Sequence, residues 1–259
     1  MIRVRRYQRF GNNVVQLVHA IHIAETSNVK TVFFPMANFS TKRIHIQVKG
    51  EPYVGQDISG TFYFEEENVK QFPGLTPLSF LDKQRIASQY LLPILEYAPP
   101  VNVDFDNTLF IHIRSGDIFS EARPHCLYAQ PPLDYYKKII EANAQKKLFV
   151  VYEDDANPVV NALKECYPSG NFVSLPLNET IGVFIKAKYI VSGFGTFIYS
   201  ILLMNTGFQT IYAPRSMKKE YYQDDVRAKY IDLPGYITRW KNTEEQRAIM
   251  LTYNSANIL

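Results

Sequence analysis

Apolar and polar positions are arranged differently in the two halves of the 259-residue chain. Early on, Val14, Leu17, Val18 and Ile21 recur at the three- and four-residue spacing that places side chains on one helical face. This predicts a helix over about 12–25, preceded by a short strand and a turn at Gly11. Asn12, Gln16 and His19, at i, i+4 and i+7, share a different, polar face of that helix. Strand-like runs over 31–34 and 44–48 follow, then a loop-rich stretch over 50–76. A helix is expected over 80–92, and Ala98, Pro99 and Pro100 mark a break.

Beyond that break, short apolar runs alternate with helical patterns. Strands are predicted over 108–113, 148–152, 172–173, 189–192 and 210–212, and helices over 133–144, 181–186 and 197–204. Another helix begins with Asn157 as its cap and Pro158 at its first position. Thr243 with Gln246 three residues on signals a last helix. This rhythm implies an α/β fold with a parallel, doubly wound sheet covered on both faces. Ligands bind such sheets outside the carboxyl ends of the strands. Three segments are thereby selected: 114–121, 153–155 and 192–196.

Composition narrows the class. With 46% hydrophobic and 20% charged residues, the chain is neither disordered nor collagen-like. A net charge of +3 argues against bulk electrostatic binding of nucleic acid. Two cysteines, Cys126 and Cys166, make no disulfide framework and read as free, mostly buried thiols of a reducing compartment. No apolar run is long enough to span a membrane, and no signal-peptide core follows the N-terminus, so the chain as given is expected to be cytoplasmic. Aromatics are abundant, with 18 Tyr and 17 Phe, which suits ring packing in a core and against a ligand.

Among the selected loops, the segment from His112 to Asp117, H-I-R-S-G-D, ends an apolar strand in an arginine, a tight turn and an acid. His112 and Arg114 point to one face because strand side chains alternate. An arginine there can grip a diphosphate with its planar fork, or equally close the turn as a structural pair with Asp117. The segment 191–197, V-S-G-F-G-T-F, turns from a strand into a helix, where backbone N–H groups with Ser192 and Thr196 suit an anion, or where the glycines serve only the turn. Glu153, Asp154 and Asp155 offer carboxylates for a metal or for sugar or ribose hydroxyls, or form a solvated turn before Asn157. Asp104 and Asp106 make a D-x-D, but one that precedes its strand, and it reads as a polar turn. No H-E-x-x-H, C-x-x-C, G-x-S-x-G or G-x-G-x-x-G spacing occurs, so neither metal ligation nor α/β-hydrolase or dinucleotide chemistry is indicated.

Together these segments resemble the α1,2-fucosyltransferase and protein O-fucosyltransferase superfamily of glycosyltransferases. Residues 9–16, R-F-G-N-N-V-V-Q, resemble its opening R-L-G-N-Q-x-x-Q. His112–Asp117 resembles its H-x-R-x-G-D, and P-L-D-Y-Y over 132–136 its P-x-x-Y-Y. Y-E-D-D over 152–155 is similar to S-D-D, and 192–197 to S-x-S-T-F. Order and spacing agree from about residue 9 to 205.

The resemblance implies a GT-B-like fold: two Rossmann-type lobes with a cleft between them, the first lobe reduced. The lobes would be 1–100, on the acceptor side, and 101–259, binding the nucleotide sugar, with the last helix able to pack back on the first lobe. It implies an inverting transfer with no metal and no cofactor beyond the nucleotide sugar, usually GDP-fucose, to a glycan acceptor. By matching positions, Arg114 would bind the diphosphate and Asp117 would orient its loop. Ser192, Gly195, Thr196 and Phe197 would line phosphates and base. Gly11 and Asn12 would approach from the other lobe, with His19 beside them, while His112, Asp154 and Asp155 complete the expected donor set. Asp117 and Glu121 are the nearest candidate bases. Tyr135, Tyr136 and Tyr152, with Phe197, are expected beside the cleft as stacking surfaces. Tyr152 and Ser115 depart from the family pattern, and the segment after Phe197 lacks the family's usual tryptophans, which leaves a UDP-xylose or other GDP- or UDP-linked deoxysugar donor open. The rivals are a metal-dependent transferase using Asp104 and Asp106, and a non-catalytic nucleotide- or glycan-binding module.

Overall fold

A computed structural model describes residues 1–98, 102–120, 124–217 and 225–254. The chain divides into two compact units, Met1–Tyr97 with Tyr199–Thr206, and Ala98–Ile198 with Gly207–Leu259. Both are α/β.

The first unit is built on a four-stranded sheet of order β3-β2-β1-β4: β1 (Ile2–Val4), β2 (Thr31–Phe33), β3 (Arg43–His45) and β4 (Ile58–Gly60). β1 pairs parallel with β2 and β4, whereas β3 is an antiparallel edge on β2. This is a smaller and more mixed sheet than a Rossmann-type lobe calls for. Helix α1 (Phe10–Thr26) makes the β1-to-β2 crossover and buries Val14, Leu17, Val18 and Ile21, the stripe its periodicity predicts. Its polar face is buried too: Asn12, Gln16 and His19 are 6%, 0% and 5% exposed. Buried polar side chains must find partners, and these tie down neighbouring loops.

The loop-rich stretch over 50–76 contains β4 and a short helix, α2 (Glu65–Gln71), whose three leading glutamates suit a helix N-terminus. Neither shows a clear periodicity. The helix expected over 80–92 is α-helical only in α3 (Phe80–Ile86), capped reciprocally by Ser79 and Asp82; it continues as a π turn, Ala87–Leu91, and a 3-10 turn, Leu92–Ile94.

The second unit carries a six-stranded, wholly parallel sheet: β5 (Thr108–Ile113), β6 (Lys147–Tyr152), β7 (Asn171–Val173), β8 (Tyr189–Ser192), β9 (Thr210–Pro214) and β10 (Ala228–Ile231). Their spatial order is β10-β9-β8-β5-β6-β7. The chain builds outward from β5 through β6 and β7, then returns to β8 on the other side. The order therefore reverses between β5 and β8, as in a Rossmann-like doubly wound sheet. All six residues of β5 are buried, as a central parallel strand requires. Between the strands lie α4 (Asp117–Ser120), α5 (Leu133–Ala142), α6 (Pro158–Cys166), α7 (Leu177–Phe184) and α8 (Thr196–Leu202). Asn157 caps α6 by accepting the Val159 N–H at 3.1 Å.

The last helix, α9 (Glu244–Thr252), packs on α5 and α6 of this second unit. The segment before it buries Trp240, whose indole N–H donates to the Ile118 carbonyl at 3.0 Å and whose ring meets Phe119. Both cysteines are exposed, contrary to expectation: Cys126 lies in a loop, and Cys166 ends α6 beyond its buried stripe of Val159, Val160 and Leu163. Among the described residues no helix is long and apolar enough to cross a membrane.

Candidate functional site

The strand-order reversal brings two loops together at the carboxyl ends of β5 and β8. The first follows Ile113. The Arg114 side chain lies over the Tyr128 ring, 4.8 Å from its centroid, with Nη2 3.3 Å from Asp117 Oδ1. The Arg114 carbonyl accepts from Asn157 Nδ2 at 3.0 Å. The next two residues are held by acids from the end of β6. Ser115 N–H donates to Glu153 at 3.0 Å, the Ser115 hydroxyl donates to Asp154, and Gly116 N–H donates to the same carboxylate at 3.1 Å. Burial opposes ionisation of Asp154, but these donors and the Ala156 N–H outweigh it, and its pKa lies below the ordinary carboxylate value.

The second loop follows Ser192. Gly195 has φ +131°, a conformation that side chains rarely adopt, and a β-carbon there would lie 2.7 Å from Arg114 Nη1. The backbone conformation calls for glycine, and the Arg114 guanidinium occupies the space a side chain there would take. Gly193 makes room for Gln130, whose Oε1 would stand 2.8 Å from a β-carbon at 193. Gln130 Nε2 in turn donates to the Tyr128 carbonyl at 3.2 Å and the Phe194 carbonyl at 3.4 Å, joining the arginine's ring platform to the glycine loop. Tyr135 Oη lies 2.8 Å from the Ser192 carbonyl and 3.1 Å from the Tyr212 carbonyl, fixing the ends of β8 and β9.

Beneath the loops, His112 packs between Phe184 and Phe197, at centroid distances of 5.7 and 4.9 Å. Burial, and then the charge of Arg114, push its pKa down to about 3, so it stays neutral. It is a core histidine that sets the floor of the site. Thr196 opens α8, which has seven residues and hence a small dipole, so the cation of this site is Arg114.

Other expected residues are placed differently. Asp155 turns away to pair with Lys164 at 2.8 Å, and Tyr152 lies under the same ammonium. Tyr135 and Tyr136 are fully buried and offer no stacking face. Glu121 lies outside the described residues. Gly11 and Asn12 are buried in the first unit, where Asn12 donates to Gln8 at 2.7 Å. Asp104 accepts from the N–H groups of Asp106 and Asn107, both at 3.2 Å, and Asp106 pairs with Lys188. The D-x-D is a polar turn at the amino end of β5. A cleft of about 640 Å³, lined in part by Asp104, Thr108, Glu141 and Tyr167, lies at that same amino edge, across the sheet from Arg114.

Four contributors were not legible as such: Glu153, Asn157, Tyr128 and Gln130. Asn157 has a cap signature that hides its second bond, and Glu153 sat in an acidic run whose members look alike. Tyr128 and Gln130 lie in a loop without periodicity. Comparison of the chain with protein-family models, curated proteins and solved structures found no match.

Proposed function

We propose that the chain is an inverting, metal-independent glycosyltransferase of GT-B-like architecture, with GDP-fucose as its first candidate donor and a glycan hydroxyl as acceptor. One observation carries the reading: a guanidinium held between Tyr128 and Gly195 at the strand-order reversal of a parallel sheet. Such a position suits an anionic ligand, and a diphosphate matches the planar fork of arginine. The five motif resemblances support the donor class.

In this reading an acceptor oxygen attacks the anomeric carbon and forms the new glycosidic bond. The bond from that carbon to the diphosphate oxygen breaks, and its electron pair leaves with the nucleotide. Arg114 stabilises the charge that develops there, usually the largest catalytic contribution. The acceptor proton passes to a carboxylate, for which Asp117, beside Arg114, is the candidate among the described residues. Asp154 and Glu153 serve by holding the loop.

The Arg114–Asp117 ion pair also favours a second reading, a nucleotide-binding module whose arginine binds without catalysing. Calorimetry with GDP, UDP and their sugars, followed by assays for nucleotide release with glycan acceptors, separates the two. Selective GDP binding with acceptor-dependent release of GDP supports the transferase. Binding without release supports the module, and absence of nucleotide binding overturns both. Arg114→Ala is expected to lower turnover by about 10²–10³-fold with the fold intact; near-normal turnover would remove its proposed role.

A further inference from the structure

The first sheet has a carboxyl edge of its own. β1 and β4 run parallel and end there together, and Arg5 N–H extends their pairing by donating to the Gly60 carbonyl at 2.8 Å. The two following loops carry Tyr7 on one side and Tyr63 and Phe64 on the other. Their rings form one cluster, with centroid distances of 5.0 Å for Tyr7–Tyr63, 5.1 Å for Tyr63–Phe64 and 6.2 Å for Tyr7–Phe64. The cluster faces solvent: Phe64 is 48% exposed and both tyrosines are half-buried.

Both loops are held in uncommon conformations. Gln8 has φ +56° and Phe62 φ +54°, the left-handed region that bulky side chains disfavour. A buried network keeps them there. Gln16, fully buried, accepts the Tyr7 N–H and donates to the carbonyls of Arg5 and Thr61, so one side chain spans both loops. Asn13 donates to the Tyr7 carbonyl, and His19 and Asn68 both bond the Phe62 carbonyl. Three rings are thereby held in place at the surface by the buried side chains behind them.

We propose that this edge is a glycan-binding platform, in which sugar rings lie on Tyr7, Tyr63 and Phe64. The rings meet at 39°, 61° and 85°, a faceted surface rather than a flat slot. Faceted rings fit the C–H faces of puckered sugars and not a planar base. Exposed charges of both signs flank them, Arg5 and Arg6 on one loop and Glu66 and Glu67 at the start of α2, so hydroxyl groups find both donors and acceptors. An acidic or basic polymer meets repulsion from one set. As the place of the acceptor, the platform rests on the transferase reading; as a glycan site it stands alone.

The test is an array of plant, animal and bacterial glycans probed with the full chain, Phe64→Ala, Tyr63→Ala and Tyr63→Phe, with GDP binding measured beside it. We expect retention of neutral oligosaccharides, weakened about tenfold (about 1.4 kcal/mol) by Phe64→Ala and by Tyr63→Ala and kept within about twofold by Tyr63→Phe, which retains the ring. Half-exposed Phe64 can be truncated without opening the core, so that variant is decisive if Tyr63→Ala fails to fold. No glycan retained, equal retention by Phe64→Ala, or a change of oligomeric state in its place overturns the platform. GDP affinity is expected to be unchanged in all variants, so failure of the nucleotide site and failure of the platform are read separately.

Discussion

The carboxyl edges of the two sheets solve one problem with different chemistry. Each must hold two strand-end loops in uncommon conformations above a buried, neutral histidine. In the second unit the holders are carboxylates, Glu153 and Asp154, and the loop they hold carries a cation, Arg114, whose side chain is 14% exposed. In the first unit the holders are amides, Gln16, Asn13 and Asn68, and the groups displayed are rings. A carboxylate can accept several N–H donors at once and lowers the local positive potential around an arginine. An amide both donates and accepts, so Gln16 bridges two loops without adding charge where apolar rings must be exposed. What is displayed dictates what holds it.

Four experiments break or sharpen this comparison. The largest effect is expected from acid. Burial pushes His112 down to about 3 and His19 down to about 4, the latter although Glu65 lies 3.9 Å from it. Above the ordinary histidine value both are neutral folded and unfolded, and stability is complete. As pH falls below it, the unfolded chain binds protons that the folded chain refuses. Stability then drops by about 1.4 kcal/mol per pH unit for each histidine, on the order of 5 kcal/mol in all by pH 4.5. Urea unfolding at pH 7 and pH 4.5 measures it, and His112→Phe should remove about half of the slope; a flat profile would contradict the burial argument.

Next comes Gln16→Leu, which orphans the Tyr7 N–H and two carbonyls and should destabilise the first unit by about 3 kcal/mol. Hydrogen exchange should show lost protection around residues 5–8 and 61–64, with the second sheet unaffected. Were exchange to rise equally in both sheets, the two edges would not be independent. Gly195→Ala follows, at about 2 kcal/mol from backbone strain, with displacement of the Arg114 guanidinium and weaker nucleotide binding. Unchanged GDP affinity in this variant would separate Arg114 from the nucleotide. The smallest effect is that of Tyr128→Leu, which removes the ring under Arg114 and should cost about 1 kcal/mol in nucleotide affinity with thermal stability nearly unchanged.

Legibility followed periodicity. The strand over 108–113, the stripe of α1, the Asn157 cap and the alternating rhythm of the second half were all readable, because local spacing alone decides them. The elements within 50–76 were not, since β4 has three residues and α2 a mostly charged surface. Arg114 and Gly195 were singled out separately; that they touch depends on which strand lies beside β5. Proximity in sequence alone suggests Tyr135 and Tyr136 as stacking surfaces, yet helix α5 turns both into the core.

By itself, the sequence determined the α/β class, the loops where chemistry gathers and the arginine at the centre of one of them, since each follows from short-range spacing. Tertiary structure alone decided the strand order that joins 114 to 195 and the division of the acids into holders and solvated residues. It also decided the assembly of Tyr7 with Tyr63 across more than fifty residues. The physical reason is that these depend on pairing and burial between distant segments, for which a side chain's identity is only half of the interaction.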